Sequence, residues 1–193
     1  MPWEKAFDTD QALAKAMEAF WAQGYEATSM QALVDAMGIG RGSLYATFGD
    51  KRSLFIQALR HYDARERKAW VAALAAANSP RESILAAFDG AVAAALDQGS
   101  RDGCLLVNTA LELSPHDEEI AGIVAQGLAE MEAFFRGRIE AGQRDGEIPD
   151  TVEAGEAARS LLGLFIGLRV LSRSRPEPAL LRSLRHQAEA LIG

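Results

Sequence analysis

Between Arg41 and Thr47 the chain sets four hydrogen-bonding side chains, Arg41, Ser43, Tyr45 and Thr47, around two small residues, Gly42 and Ala46. An arginine can fork onto a guanine edge or hold a phosphate. Serine and threonine can donate or accept at a base edge, and a tyrosine offers its hydroxyl from a stiff ring. Gly42 and Ala46 would let a helix backbone approach closely whatever it faces. Upstream, Thr28 and Ser29 stand where a helix can start, and downstream Lys51 does the same. Free N–H groups and the helix dipole at such positions favour a phosphate oxygen. This chemistry is recognition of a polyanion rather than bond breaking. The histidines, His61, His116 and His186, are widely scattered and none falls in a metal-ligand frame. Gly38-Ile39-Gly40-Arg41-Gly42 has the glycines of a phosphate loop, but no strand precedes it and the Lys-Ser/Thr ending is missing. Cys104 and His116 could be spaced as nucleophile and base, yet nothing else supports an enzyme. No metal and no cofactor is expected.

The elements that must hold these residues are helical. Alanine and leucine dominate and β-branched and aromatic residues are sparse, a mix that favours helix. Helical spacing recurs throughout and gives an all-α protein of about nine helices. The first runs from Asp8 to Gln23, ended by Gly24. Thr28 or Ser29 caps a second that bears Leu33, Val34 and Met37, and Gly38 ends it. A third begins near Gly40 and reaches Phe48, and Asp50 caps a long fourth over Lys51 to Ala77. After Asn78-Ser79-Pro80 a fifth spans Arg81 to Gln98. A short sixth covers Cys104 to Leu113, a seventh Asp117 to Arg144, an eighth Thr151 to Arg173, and a ninth follows Pro176.

A short capped helix, a glycine turn and a second short helix make a helix-turn-helix, here over Thr28 to Phe48. Leu33, Met37, Ile39, Leu44 and Phe48 would pack its helices together. With Leu44 and Phe48 inward, 100° steps put Gly42, Ser43, Tyr45 and Ala46 outside, flanked by Arg41 and Thr47. Two-helix corners also occur in proteins that never touch DNA, and Tyr45 could be a core aromatic. Charge speaks against strong bulk attraction: the chain carries a net charge of −7. Through Arg52, five cations oppose seven carboxylates. A DNA-binding reading therefore rests on local fit, and a modest salt dependence is expected. A helical interaction module without DNA binding is the alternative that the acidic balance suggests.

Gly24-Tyr25-Glu26-Ala27-Thr28-Ser29-Met30, then Met37-Gly38-Ile39, then Gly42 to Lys51 resemble, in order and spacing, the N-terminal signature of the TetR family of repressors. That resemblance implies a helix-turn-helix domain over residues 1–50 and a ligand-binding and dimerisation domain over 51–193. It also implies a homodimer through the last two helices, double-stranded operator DNA as partner, and release by a small-molecule effector. Thr28, Ser29, Arg41, Gly42, Ser43, Tyr45, Thr47 and Lys51 become the expected DNA contacts. Gly40 departs from the pattern, since a serine cap is common there.

The C-terminal half offers less chemistry. Leu161, Leu162, Leu164, Phe165, Leu168 and Leu171 make the eighth helix apolar over a wide arc, and Gly163 and Gly167 would allow close backbone approach. This is either a dimer helix or a deeply buried one. Trp70, Phe88, Leu106, Met131, Phe134 and Phe135 are candidate pocket residues, each also a plausible core residue. Cys104 follows Gly103 near the start of the sixth helix, with Arg101 close in sequence. A helix dipole there favours a thiolate. Arg101-Asp102-Gly103-Cys104-Leu105-Leu106-Val107-Asn108 also resembles a stretch in one branch of the family, with Gly-Cys-Leu at the start of the sixth helix, some of whose members sense electrophiles or oxidants through a cysteine here. That resemblance implies a thiol sensor, beside the plainer reading of a small buried residue. A single cysteine excludes an intrachain disulfide and fits a reducing cytoplasm. The most apolar run, Leu161 to Leu171, carries Arg169 and is too short for a bilayer.

Overall fold

A computed structural model describes residues 7–97 and 102–193. Among them no strand occurs, and the chain forms α1 (Thr9–Gln23), α2 (Met30–Met37), α3 (Arg41–Phe48), α4 (residues 51–77), α5 (Pro80–Leu96), α6 (Leu105–Glu112), α7 (Glu118–Arg144), α8 (Ala154–Ser174) and α9 (Pro178–Ala190). The expected all-α class and the number of helices agree with this order. Capping explains most of the boundaries. The Asp8 carboxylate accepts from the N–H groups of Asp10 and Gln11, and that of Asp50 accepts from Ser53 N–H at 2.8 Å. Ser79 and Glu82 form a reciprocal capping box with Pro80 at the first helical position.

Several ends differ from the sequence expectation, most of them by one residue. α8 starts at Ala154 rather than Thr151, because the Glu153 carboxylate takes the Gly155 and Glu156 N–H groups and residues 150–152 turn before it. α9 starts at Pro178, and α5 stops at Leu96; Gln98 to Arg101 lie outside the described residues. Cys104 is the cap of α6 rather than its first residue.

α4 is continuous but not uniform. Lys51–Tyr62 and Lys68–Ala77 are joined by a π turn at Asp63–Arg67. The wider turn re-phases the helix and swings Arg67 inward, where it bonds Asp63 at 2.5 Å and also Glu130 of α7. Burial works against the Arg67 charge, and the bonds to Asp63 and Glu130 more than offset it. Among the described residues no helix is long and apolar enough to cross a membrane.

Two apolar clusters fill the molecule. The first joins α1, α2, α3 and the start of α4, and it takes in Leu105, Leu106 and Leu113 from around α6 and Ile120 and Val124 from α7. The second gathers α5, the later turns of α7, α8 and α9 around Phe88, Phe135, Leu161 and Leu168. Apolar packing thus runs through residue 50, since Leu54, Phe55, Leu59 and Tyr62 belong to the first cluster.

The end of α7 provides a stability test. A Cβ on Gly142 would stand 2.8 Å from both Cγ1 and Cδ1 of Ile148. Ile148 cannot retreat easily, being buried and bonded through its N–H to the Gly142 carbonyl at 3.1 Å. Overpacking costs about 1–3 kcal/mol and alanine returns at most about 1 in helix propensity. Gly142→Ala should therefore lower Tm by a few degrees in thermal denaturation. An unchanged or raised Tm would show that this corner is loosely packed.

Candidate nucleic-acid interface and inner cavity

Ser29 caps α2, its hydroxyl accepting the Ala32 N–H at 3.0 Å, and Gly38 ends that helix in the left-handed conformation at φ 68°. This turn, which favours glycine, aims α3 away from α2. On α3, Leu44 and Phe48 are buried as expected, alongside Leu33, Met37 and Ile39. Gly42, Ala46 and Tyr45 face outward, Tyr45 being 48% exposed, and Ser43 and Thr47 are half-buried on the flanks. Gly42, Tyr45 and Ala46 of the outer face anticipated from 100° steps are exposed, whereas Ser43, expected among them, is half-buried and Arg41, expected at the flank, is exposed.

Arg41 is exposed, and its Nη2 donates to the Gln31 side chain at 3.1 Å; Gln31 in turn donates to Asp35 at 2.9 Å. Gln31 was not anticipated. Its only sequence signal is its place two residues beyond the Ser29 cap, on the exposed side of α2. Lys51 sits 4.5 Å above the Tyr25 ring and reaches the Glu26 carbonyl at 3.4 Å. Tyr25 is a platform because its ring packs on Phe20 and Phe55 at 6.0 and 5.0 Å. Burial, then the charge of Glu26, pushes its hydroxyl pKa up.

Thr28 is placed differently from expectation. It is wholly buried, and its hydroxyl donates to the Gly24 carbonyl at 2.5 Å. It supports the α1–α2 corner from behind, while Ser29 does the capping. Arg52, beside Lys51, is also withdrawn. Its guanidinium forks onto Asp117 at 2.6 and 2.9 Å and touches Glu119 at 3.0 Å, and Arg60 pairs with Glu119 at 3.1 Å. Chiefly through the Arg52 bond, the Asp117 carboxyl is held down to about 2. These pairs are solvent-exposed, so they orient α7 against α4 more than they stabilise it. A second link is the Glu112 carboxylate at the end of α6, which accepts the Tyr25 and Glu26 N–H groups at 3.1 and 2.8 Å.

Behind this surface lies a cavity of about 260 Å³ between α4, α5, α6, α7 and α8. Trp70, Cys104, Leu106 and Met131, all anticipated, line it. Phe88, Phe134 and Phe135 do not. Phe88 and Phe135 are fully buried and pack edge-on against Phe165 at 5.4 and 6.0 Å, so they form a layer behind the wall that Phe165 provides. Phe134 packs against Phe135 and the second cluster. Lining residues not anticipated include Trp21, Tyr62, Arg67, Phe165 and Arg169. The Tyr62 hydroxyl donates to the Cys104 sulfur at 3.5 Å, and burial pushes its pKa well up. Arg101, the expected neighbour of Cys104, lies outside the described residues. No cluster of metal-binding side chains occurs among the described residues.

Comparison with known proteins finds two family models that match this chain. Residues 12–58 match the family model described as bacterial regulatory proteins, tetR family, and residues 80–188 match the tetracyclin repressor-like C-terminal domain. The chain is 38% identical to the HTH-type transcriptional regulator YezE of Bacillus subtilis, over 76% of this chain and 77% of that one. It is 34% identical to the HTH-type transcriptional repressor ComR of Escherichia coli, over 88% and 81%. Among solved structures it is similar to a cysteine mutant of the TetR family regulator CifR complexed with 26-bp double-strand operator DNA. The TM-score is 0.84 at 32% identity, covering 98% of this chain and 99% of that one.

Proposed function

Because the chain belongs to the TetR family of bacterial regulators, we propose that it is a homodimeric, non-enzymatic repressor that binds double-stranded operator DNA and is released by a small molecule seated in the cavity. The observation that carries this reading is the outward face of α3. Gly42 and Ala46 leave room for the groove floor, and Ser43, Tyr45 and Thr47 supply donors and acceptors beside them. Arg41 reaches a base or phosphate from the start of α3, and Ser29 and Lys51 meet phosphates at the starts of α2 and α4. Thr28 is left out of that contact set. Such a protein works in the cytoplasm, where its operator is.

A route from cavity to groove is built into α6. Leu106 near its start lines the cavity, and Glu112 at its end holds the Tyr25 and Glu26 backbone next to Lys51. A ligand that fits one position of α6 better than another shifts the spacing of the two DNA-reading heads by its differential affinity. The test is a gel shift with the region upstream of the protein's own gene, followed by selection from a random DNA pool. A retarded complex with a two-fold operator is expected. If no selected fragment binds, the chain is a helical interaction module and this reading is wrong.

Cys104 supports a second reading of the signal. It lines the cavity, caps α6 and accepts the Tyr62 hydroxyl bond. Addition of its thiolate to a quinone would form a C–S bond, with the proton passing to the quinone oxygen, and would push on the start of α6. Quinone treatment should then dissociate the operator complex of the parent protein and leave that of Cys104→Ser intact. Equal responses would reduce Cys104 to a wall residue.

A further inference from the structure

The cavity's own chemistry specifies a class of ligand, an inference that rests on the effector reading above. Its apolar wall is largely aromatic. Trp70 stacks on Phe165 at 6.0 Å and Trp21 meets Tyr62 edge-on at 5.0 Å, with Leu106 and Met131 between helices. A cavity of about 150 Å³ already accepts benzene, so about 260 Å³ suits one or two rings.

The charges on this wall are unequal. Glu66 is exposed, at the solvent side. Arg67 is spent, held by Asp63 and Glu130. Arg169 of α8 is different: its guanidinium donates to the Gly103 carbonyl, and no carboxylate pairs with it among the described residues. A guanidinium has five N–H donors and keeps its charge at any accessible pH. Next to an apolar cavity such a charge is costly until an anion meets it. Gly103 precedes Cys104, whose sulfur takes the Tyr62 hydroxyl bond, so Arg169, Tyr62 and Cys104 form one polar corner of an otherwise apolar wall. Arg169 also eases the ionisation of Tyr62 that burial opposes, as a nearby positive charge must.

We infer that the cavity takes a small aromatic acid, its rings between Trp70, Phe165 and Trp21 and its carboxylate forked on Arg169. Bidentate arginine–carboxylate pairing is directional as well as strong, which fixes the rings in one orientation. A neutral aromatic of the same size would leave the guanidinium unanswered.

Isothermal titration calorimetry of the full chain with 2-naphthoate, 2-naphthamide and 2-naphthalenemethanol tests this. The acid should bind about tenfold or more tighter than either neutral compound. Arg169→Gln should erase that preference and leave the neutral compounds unchanged, and Arg169→Lys should keep part of it. Circular dichroism confirms folding, and the lysine variant carries the test if the glutamine variant does not fold. Equal binding of all three compounds, a preference that survives Arg169→Gln, or no binding of the acid up to about 1 mM would overturn the proposal. Ala94 is exposed at the cavity wall, so Ala94→Trp blocks access without entering the core. If the three compounds bind equally and Ala94→Trp abolishes binding of them all, the cavity stands and only the acid class falls. If binding persists in Ala94→Trp, the cavity is not the effector site.

Discussion

Gly42→Glu is expected to abolish operator binding while leaving the fold as stable as before, or slightly more so. Gly42 is the second residue of α3, exposed, and a Cβ built there meets nothing within 4 Å. Within the chain the change is favourable. Glutamate is a better helix former than glycine by up to about 1 kcal/mol, and a carboxylate in the first turn gains about 0.3–1 kcal/mol from the helix dipole. Against DNA the same side chain is a bulky negative charge thrust at base edges between two phosphate rows. It separates the helix from the groove floor and removes the approach that Arg41 and Tyr45 need. Losing contacts of about 1–3 kcal/mol in each subunit of the proposed dimer weakens binding by at least about thirtyfold. Fluorescence anisotropy on the selected operator should show that loss, and thermal denaturation should show an equal or higher Tm. Gly42→Ala, which adds a methyl group and no charge, should cost far less. Unchanged affinity in Gly42→Glu would mean that the outer face of α3 does not enter the groove.

The α3 register was legible because it needs only a local rule. Once Leu44 and Phe48 are taken as inward, the helical period fixes the remaining residues, and the exposures of Gly42, Tyr45 and Ala46 follow. The Asp50 cap was legible for the same reason. Thr28 was not, because its side chain is settled by the Gly24 carbonyl. Gly24 ends α1 outside helical geometry, which leaves that acceptor open to an inward hydroxyl. The cavity was only half legible. Trp70, Leu106 and Met131 sit on its walls, but so does Trp21, which comes from α1 and closes the cavity only through tertiary packing. Phe88 and Phe135 looked equally eligible, and Phe165 decides the matter by standing in front of them. Arg67 was hidden most effectively. In a run of alternating charges from Asp63 to Lys68 it reads as solvated surface, and only the π turn rotates it inside. The acidic balance of the N-terminal region gains a physical meaning as well. Since Arg52 is engaged by Asp117 and Glu119, Arg41 and Lys51 remain, among the described residues, as the cations beside α3.

A comparable effect is expected in the C-terminal half, from Gly163→Glu in α8. Leu161, Phe165 and Leu168 turn inward and are buried, whereas Gly163 is exposed and Gly167, one turn on, is half-buried. A Cβ at either glycine meets nothing within 4 Å in a single chain. Each glycine within a helix costs up to about 1 kcal/mol relative to alanine. That cost has no return inside one protomer, but it would be recovered if the α8 helices of two copies crossed here with their backbones close together. Half-buried Leu164 and Leu171 flank the glycines and would be covered by the same contact. In a two-fold interface a substituted residue faces its own copy, so Gly163→Glu sets two carboxylates against each other and strips both of water. Analytical ultracentrifugation at micromolar concentration should find the parent dimeric and the variant monomeric. Operator affinity should fall with it, because one head reads only one half-site. Gly163→Ala gives the sign test. If the face is free, alanine raises Tm and the association is untouched; if two backbones meet there, the added methyl weakens the dimer although it strengthens the helix. A Gly163→Glu variant that remains dimeric and bound to its operator would place the dimer contact elsewhere on the chain.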